Sequence, residues 1–114
     1  MAAATGTKII FIVPKFEYVQ GGVAQTDEWE VAPGTAQLDG ATGIDWYVAD
    51  SKPHSLKIIL PVGPFSAVKV SGGMASATVT LPAAERSKNR YYPYQVFVDD
   101  RPAHGGSAPG MIVD

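Results

Sequence analysis

Cysteine is missing from this chain, and that one absence removes disulfides, thiolate metal sites, iron–sulfur clusters and thiol nucleophiles together. A charge excess is missing as well. Nine Lys and Arg against eleven Asp and Glu leave a net charge of −2, with the basic residues scattered from Lys8 to Arg101. Nucleic acid binding therefore has no electrostatic footprint. No basic amphipathic helix can be drawn along the chain, which removes the usual means of lying on a membrane surface. Long apolar runs are absent too: the run at 9–13, after an Ala-rich start, is too brief for a signal-peptide core or a membrane span. The expectation is a soluble protein, cytoplasmic as the chain stands, and periplasmic or secreted if a leader has been removed.

What the chain does have is the composition of a folded domain. Its 114 residues are 46% hydrophobic and 18% charged, and one domain spanning 1–114 should bury roughly two-thirds of its unfolded surface without metal or disulfide support.

Period-two patterning dominates. Residues 8–13 (KIIFIV) form a continuous β-branched apolar run closed by Pro14, the pattern of a strand covered on both faces. Such a run carries no interior charge to guard an open edge, so it is expected either in the middle of a sheet or at a dimer seam. Residues 15–19 resume an extended pattern up to the Gly21-Gly22 turn. Trp29 and Val31 share one side of a half-buried strand at 28–31, and 35–43 reads as a surface connection with Leu38 its only large apolar residue. Strands are predicted at 44–49 (Ile44, Trp46 and Val48 on one face), 55–60 (Leu56, Ile58, Leu60), 65–70 and 75–81 (Ala75, Ala77, Val79, Leu81). After Pro82 a helix of two turns at most fits 83–89. The strand pattern returns at 91–98, with Tyr92, Tyr94, Val96 and Val98 on a shared face, and a Gly/Pro-rich loop at 99–110 leads into 111–113. Seven or eight short strands between Gly and Pro turns predict an all-β fold, a two-sheet antiparallel sandwich.

Three stretches carry a resemblance to a known family. Residues 45–58 (DWYVADSKPHSLKI) place a Trp-bearing strand, an acidic turn and a proline before His54. Residues 92–98 (YPYQVFV) alternate aromatics along a late strand, and 103–113 (AHGGSAPGMIV) form a His-containing loop running into the last strand. Together they resemble the cupredoxins, the small blue copper proteins. The resemblance implies a Greek-key sandwich and, in the family, a copper bound by two His, a Cys and a weak axial ligand. Val96 falls about where the family's Cys would stand. Type 1 copper needs that thiolate, so blue-copper electron transfer is excluded by the sequence, and no cofactor is expected.

Candidate sites are few. His54 and His104 are the two imidazoles, and with Met111 they form a donor set able to hold Cu(II) or a similar ion if the fold brings them together. Otherwise His54 caps a turn and His104 decorates a loop. The neighbouring carboxylates of Asp99 and Asp100, with Arg101, invite an acid–base reading, but adjacent residues on extended chain face opposite ways, and a turn fits better. Ser51, Ser55, Ser71 and Ser107 lie in no nucleophile-elbow pattern. Gly72-Gly73 and Gly105-Gly106 are followed by neither a helix nor a P-loop Lys, so they read as turns. Both faces of the 91–98 strand carry large rings, which makes Tyr91 and Phe97 candidates for contact with a partner or a second subunit.

The reading favoured by these observations is a non-catalytic binding or assembly module acting on an unknown protein or small ligand. Its contact surface is a sheet face, an exposed edge or the 103–110 loop, and a homodimer is a candidate assembly. The alternative is a metal-handling protein using His54 and His104.

Overall fold

The computed structural model describes residues 6–50, 53–103 and 109–114, with the backbone alone at 16–18 and 24–27. Eleven strands and one helical turn follow one another as β1 (Thr7–Gln20), β2 (Val23–Ala32), β3 (Thr35–Gln37), β4 (Gly43–Val48), β5 (Leu56–Ile59), β6 (Lys69–Ser71), β7 (Met74–Thr78), α1 (Ala83–Arg86), β8 (Arg90–Pro93), β9 (Gln95–Val98), β10 (Arg101–Pro102) and β11 (Gly110–Val113). They form a five-stranded sheet in the order β2-β1-β4-β7-β6 and two three-stranded sheets, β10-β9-β5 and β3-β11-β8.

The all-β class is what the chain adopts, but two expectations are corrected. The pairing is not antiparallel throughout, because β1 runs parallel to β4 and β3 parallel to β11, so the sheets are mixed. The strands also number more than seven or eight. One added strand, β3, lies in the stretch expected to be a surface connection, whose Leu38 is buried in the core. The 91–98 strand is divided, with β8 pairing to β11 and β9 to β5.

One face of each sheet supplies a single core. Ile10, Ile12, Trp29, Val31, Ile44 and Trp46 come from the large sheet, Leu56, Ile58, Val96 and Val98 from the second, and Ala36, Met111 and Val113 from the third. The predicted alternation places these side chains correctly, since successive residues of a strand face opposite ways. No polar or charged residue is buried among those described. At the centre, the Trp46 indole N–H donates to the Tyr94 hydroxyl at 3.2 Å.

Pro14 does not end the first strand. The pairing of β1 with β4 stops at Ile12, and from there only β2 lies alongside, with register shifts between Pro14 and Glu17. A residue without an N–H is tolerated where one edge of the strand is open and the ladder bulges. The distal half of the β1–β2 hairpin thus leaves the body of the protein as a two-stranded arm. The molecule measures 54 × 26 × 25 Å with a radius of gyration of 15.0 Å, against about 13 Å for a compact chain of this size.

The 8–13 run occupies an interior strand, one of its two expected positions. Its second property is corrected: the run is covered on one face only. Ile10 and Ile12 are fully buried, whereas Ile9 is 48% and Phe11 47% exposed. That outer face is thus left about half open to solvent at both positions.

Candidate functional site

Two places gather side chains with chemical potential. The first forms around His54, where the turn after β4 enters β5. His54 Nδ1 lies 2.6 Å from Asp99 Oδ2, and Nε2 lies 2.7 Å from Asp50 Oδ2. Carboxylate oxygens only accept, so satisfying both contacts requires a proton on each ring nitrogen, that is, an imidazolium between two carboxylates.

Backbone geometry delivers Asp99 to this position. Asp99 and Asp100 have φ of 50° and 64°, two successive left-handed residues as in a type I′ hairpin turn between β9 and β10. Asp99 donates its N–H to Ser55 O at 2.8 Å and accepts the Ser55 N–H on Oδ1 at 2.8 Å. The Trp29 ring, buried on β2, meets the imidazole edge-on with centroids 4.8 Å apart. Burial pulls the His54 pKa down, but hydrogen bonds and charge from Asp99 and Asp50 outweigh it, so the net shift is upward. The Ser55 N–H, ahead of the His54 contact, holds the Asp99 carboxyl below its ordinary range, against some desolvation.

A doubly bonded imidazolium has no lone pair to offer. To act as a base or a metal ligand, His54 must first release one aspartate. Among the described residues, no group of three His, Asp or Glu side chains is arranged to hold a metal ion. Met111, of the same candidate set, is wholly buried on β11, opposite Tyr92. His104 lies outside the described residues, as do Ser51 and Ser107. Of the Asp99–Asp100–Arg101 group, the two aspartates form the turn, with Asp99 turned to His54 and Ser55, and Arg101 opens β10 opposite Val98.

Asp50 and Trp29 are the members of this cluster that sequence reasoning passed over as functional groups. Asp50 and His54 are four residues apart, a local signal that was readable. Trp29 carried none.

The second place is the outer face of the five-stranded sheet. Register sets Ala32, Phe11, Tyr47, Met74 and Ser71 in one row across the five strands. Ile9, Asp45, Ser76 and Lys69 form the next row, and Val13 pairs with Glu30 on the other side. Phe11 and Tyr47 lie ring to ring at 6.2 Å. Ile9, Phe11 and Met74 are all exposed, so an aromatic and aliphatic centre is rimmed by charge.

Tyr91 and Phe97, the aromatic pair singled out in the sequence, belong to strands of two different sheets, β8 and β9. Tyr91 is about half exposed, with its ring laid over the backbone of Gly110, where a Cβ would collide with it. Phe97 has the Lys57 ammonium 6.0 Å from its ring centroid. Both rings are thus partly engaged within the chain.

Comparison with known protein families, with curated proteins and with solved structures finds no match in any of the three. No described helix is long and apolar enough to cross a membrane.

Proposed function

We propose that this protein is a non-catalytic binding or assembly module and that its working surface is the outer face of the five-stranded sheet. The observation that carries this is the half-covered 8–13 run. An unbroken apolar strand belongs to a sheet buried on both sides, yet Ile9 and Phe11 stand in water beside Tyr47 and Met74. Folding alone does not call for that side to be apolar in a sheet with one wet face, where polar residues normally alternate outward. Contiguous exposed apolar patches of this kind mark sites of association. A partner is the second cover.

The finer fold reading, a cupredoxin-like Greek-key sandwich without the copper thiolate, belongs to this proposal. It rests on the three resembling sequence stretches, with β5 paired to β9 so that His54 stands at one end of that ladder.

Site-specific photocrosslinking tests the reading. A benzophenone-bearing amino acid in place of Phe11 or Tyr47 should yield a discrete protein adduct, alone or in an extract of the source cells. The adduct should vanish with Ile9→Lys and should not form from Val62, which is almost wholly exposed outside this face. Equal labelling from Val62, or no adduct from either ring position, would sink the reading.

A further inference from the structure

We infer that the partner covering this face is a second copy of the chain, packed sheet to sheet about a two-fold axis. The inference rests on the assembly reading above and adds the identity of the partner.

Charge placement points to it. Glu30 and Lys69 both lie on the outer face, and neither has an ion-pair partner among the described residues. Glu30 sits on the β2 edge in the Val13 row, and Lys69 on the β6 edge in the Ile9 row. With Phe11 and Tyr47 between them, these are diagonally opposed corners of one patch. A two-fold axis lying in the interface, perpendicular to the line that joins them and through its midpoint, exchanges those corners. It therefore sets each Glu30 against the Lys69 of the other copy, twice per dimer, and brings the two Phe11–Tyr47 centres together. Self-complementarity is what an isologous interface demands. With four steps of about 4.8 Å across the strands and four residues of about 3.3 Å along them between the corners, this axis crosses the strands of the two sheets at roughly 70°, nearer the orthogonal of the two packings that facing sheets adopt.

The face is small. Five strands about 4.8 Å apart, tapering to the five residues of β7 and the three of β6, give a footprint of roughly 400 Å² per copy. Two copies then bury about 800 Å², the low end for a specific interface. A reversible dimer with a dissociation constant on the order of micromolar is expected rather than an obligate one.

Sedimentation equilibrium on the purified full chain, at rising concentration and low salt, should show a mass approaching twice 12.0 kDa. Glu30→Lys and Lys69→Glu should each weaken the dimer by about tenfold, because each breaks both symmetric contacts. The double variant should return to within about threefold of the unmodified chain, since the charges are exchanged and not lost. Near-ultraviolet circular dichroism of the buried Trp46 checks that every variant is folded. A monomer at all concentrations, or a double variant no better than the singles, overturns the inference. If the chain is monomeric while the probe at position 11 crosslinks to another protein, this inference falls and the assembly reading stands. A monomer with no adduct removes both.

Discussion

Replacing Tyr94 by Phe removes one oxygen from the core and leaves its shape intact, which makes it a clean probe of the packing between the sheets. Tyr94 is 3% exposed and Trp46 is 0% exposed, with the indole N–H donating to the Tyr94 hydroxyl and the two rings edge to face at 5.8 Å. In the variant the indole N–H of this fully buried ring loses its acceptor, and an unpaired buried donor costs about 1–3 kcal/mol. At this chain length the melting temperature should fall by roughly 5–10 °C. A second signature appears in alkali. Burial pushes the Tyr94 hydroxyl from 10.0 up to about 12, although the Trp46 contact pulls the other way. The fold thus favours the protonated phenol. The stability this represents is complete below the unfolded value near 10, and it is lost as pH rises through about 12. A shift of that size corresponds to about 3 kcal/mol. Phe has no such proton, so the deficit of the variant at neutral pH should shrink, and tend to reverse, as pH approaches about 12. Guanidinium unfolding followed by tryptophan fluorescence, at about pH 7 and about pH 11.5, measures both effects. Equal stability at neutral pH, or a gap that does not change with pH, would refute the account of a dry core with one internal hydrogen bond.

The His54 clamp gives a prediction of the opposite pH sense to an ordinary carboxylate. A raised His pKa means that its contribution is complete below the unfolded value of 6.5 and fades as pH rises through the folded value. His54→Gln should therefore cost more near about pH 5 than near about pH 9, and nitrogen-15 spectra should show both ring nitrogens still mostly protonated at about pH 6.5, where an unfolded imidazole is half titrated. A His54 titrating below 6.5 would contradict the geometry. The β9–β10 turn supplies a pair of opposite signs. Asp100→Gly should stabilise by about 0.5 kcal/mol, since Gly relieves the left-handed backbone. Asp99→Gly should destabilise by about 1 kcal/mol despite the same backbone relief, because it removes the acceptor of Ser55 and His54. Urea midpoints moving in the same direction for the two variants would remove the assignment of Asp99 as an anchor.

Strand identity was legible in this sequence because burial alternates locally. Trp29 with Val31, Ile44 with Trp46, and Val96 with Val98 all point inward as their spacing predicts. Pairing was not legible, because the parallel ladder of Thr7–Ile12 against Gly43–Val48 joins segments whose patterns carry no mark of each other. Leu38 looked like a loop residue because its neighbours are polar, and what holds its backbone is β11, distant in sequence, whose Ile112 carbonyl accepts the Leu38 N–H. The His54 cluster failed to announce itself for the same reason, since Asp99 is 45 positions away. Only the 8–13 run misled through its own composition. Its apolarity is the pattern of a strand with two covers, and the described residues cover one face only.

The arm gives this arrangement a built-in yardstick. One unbroken strand, β1, runs from beneath Phe11 to the turn at Gly21-Gly22, so the bearing of the tip is inherited from the sheet and needs no linker to set it. From Phe11 to Gln20 an extended strand covers about 30 Å. The tip is thereby held at that distance from the flat of the sheet, the two joined by a common rail.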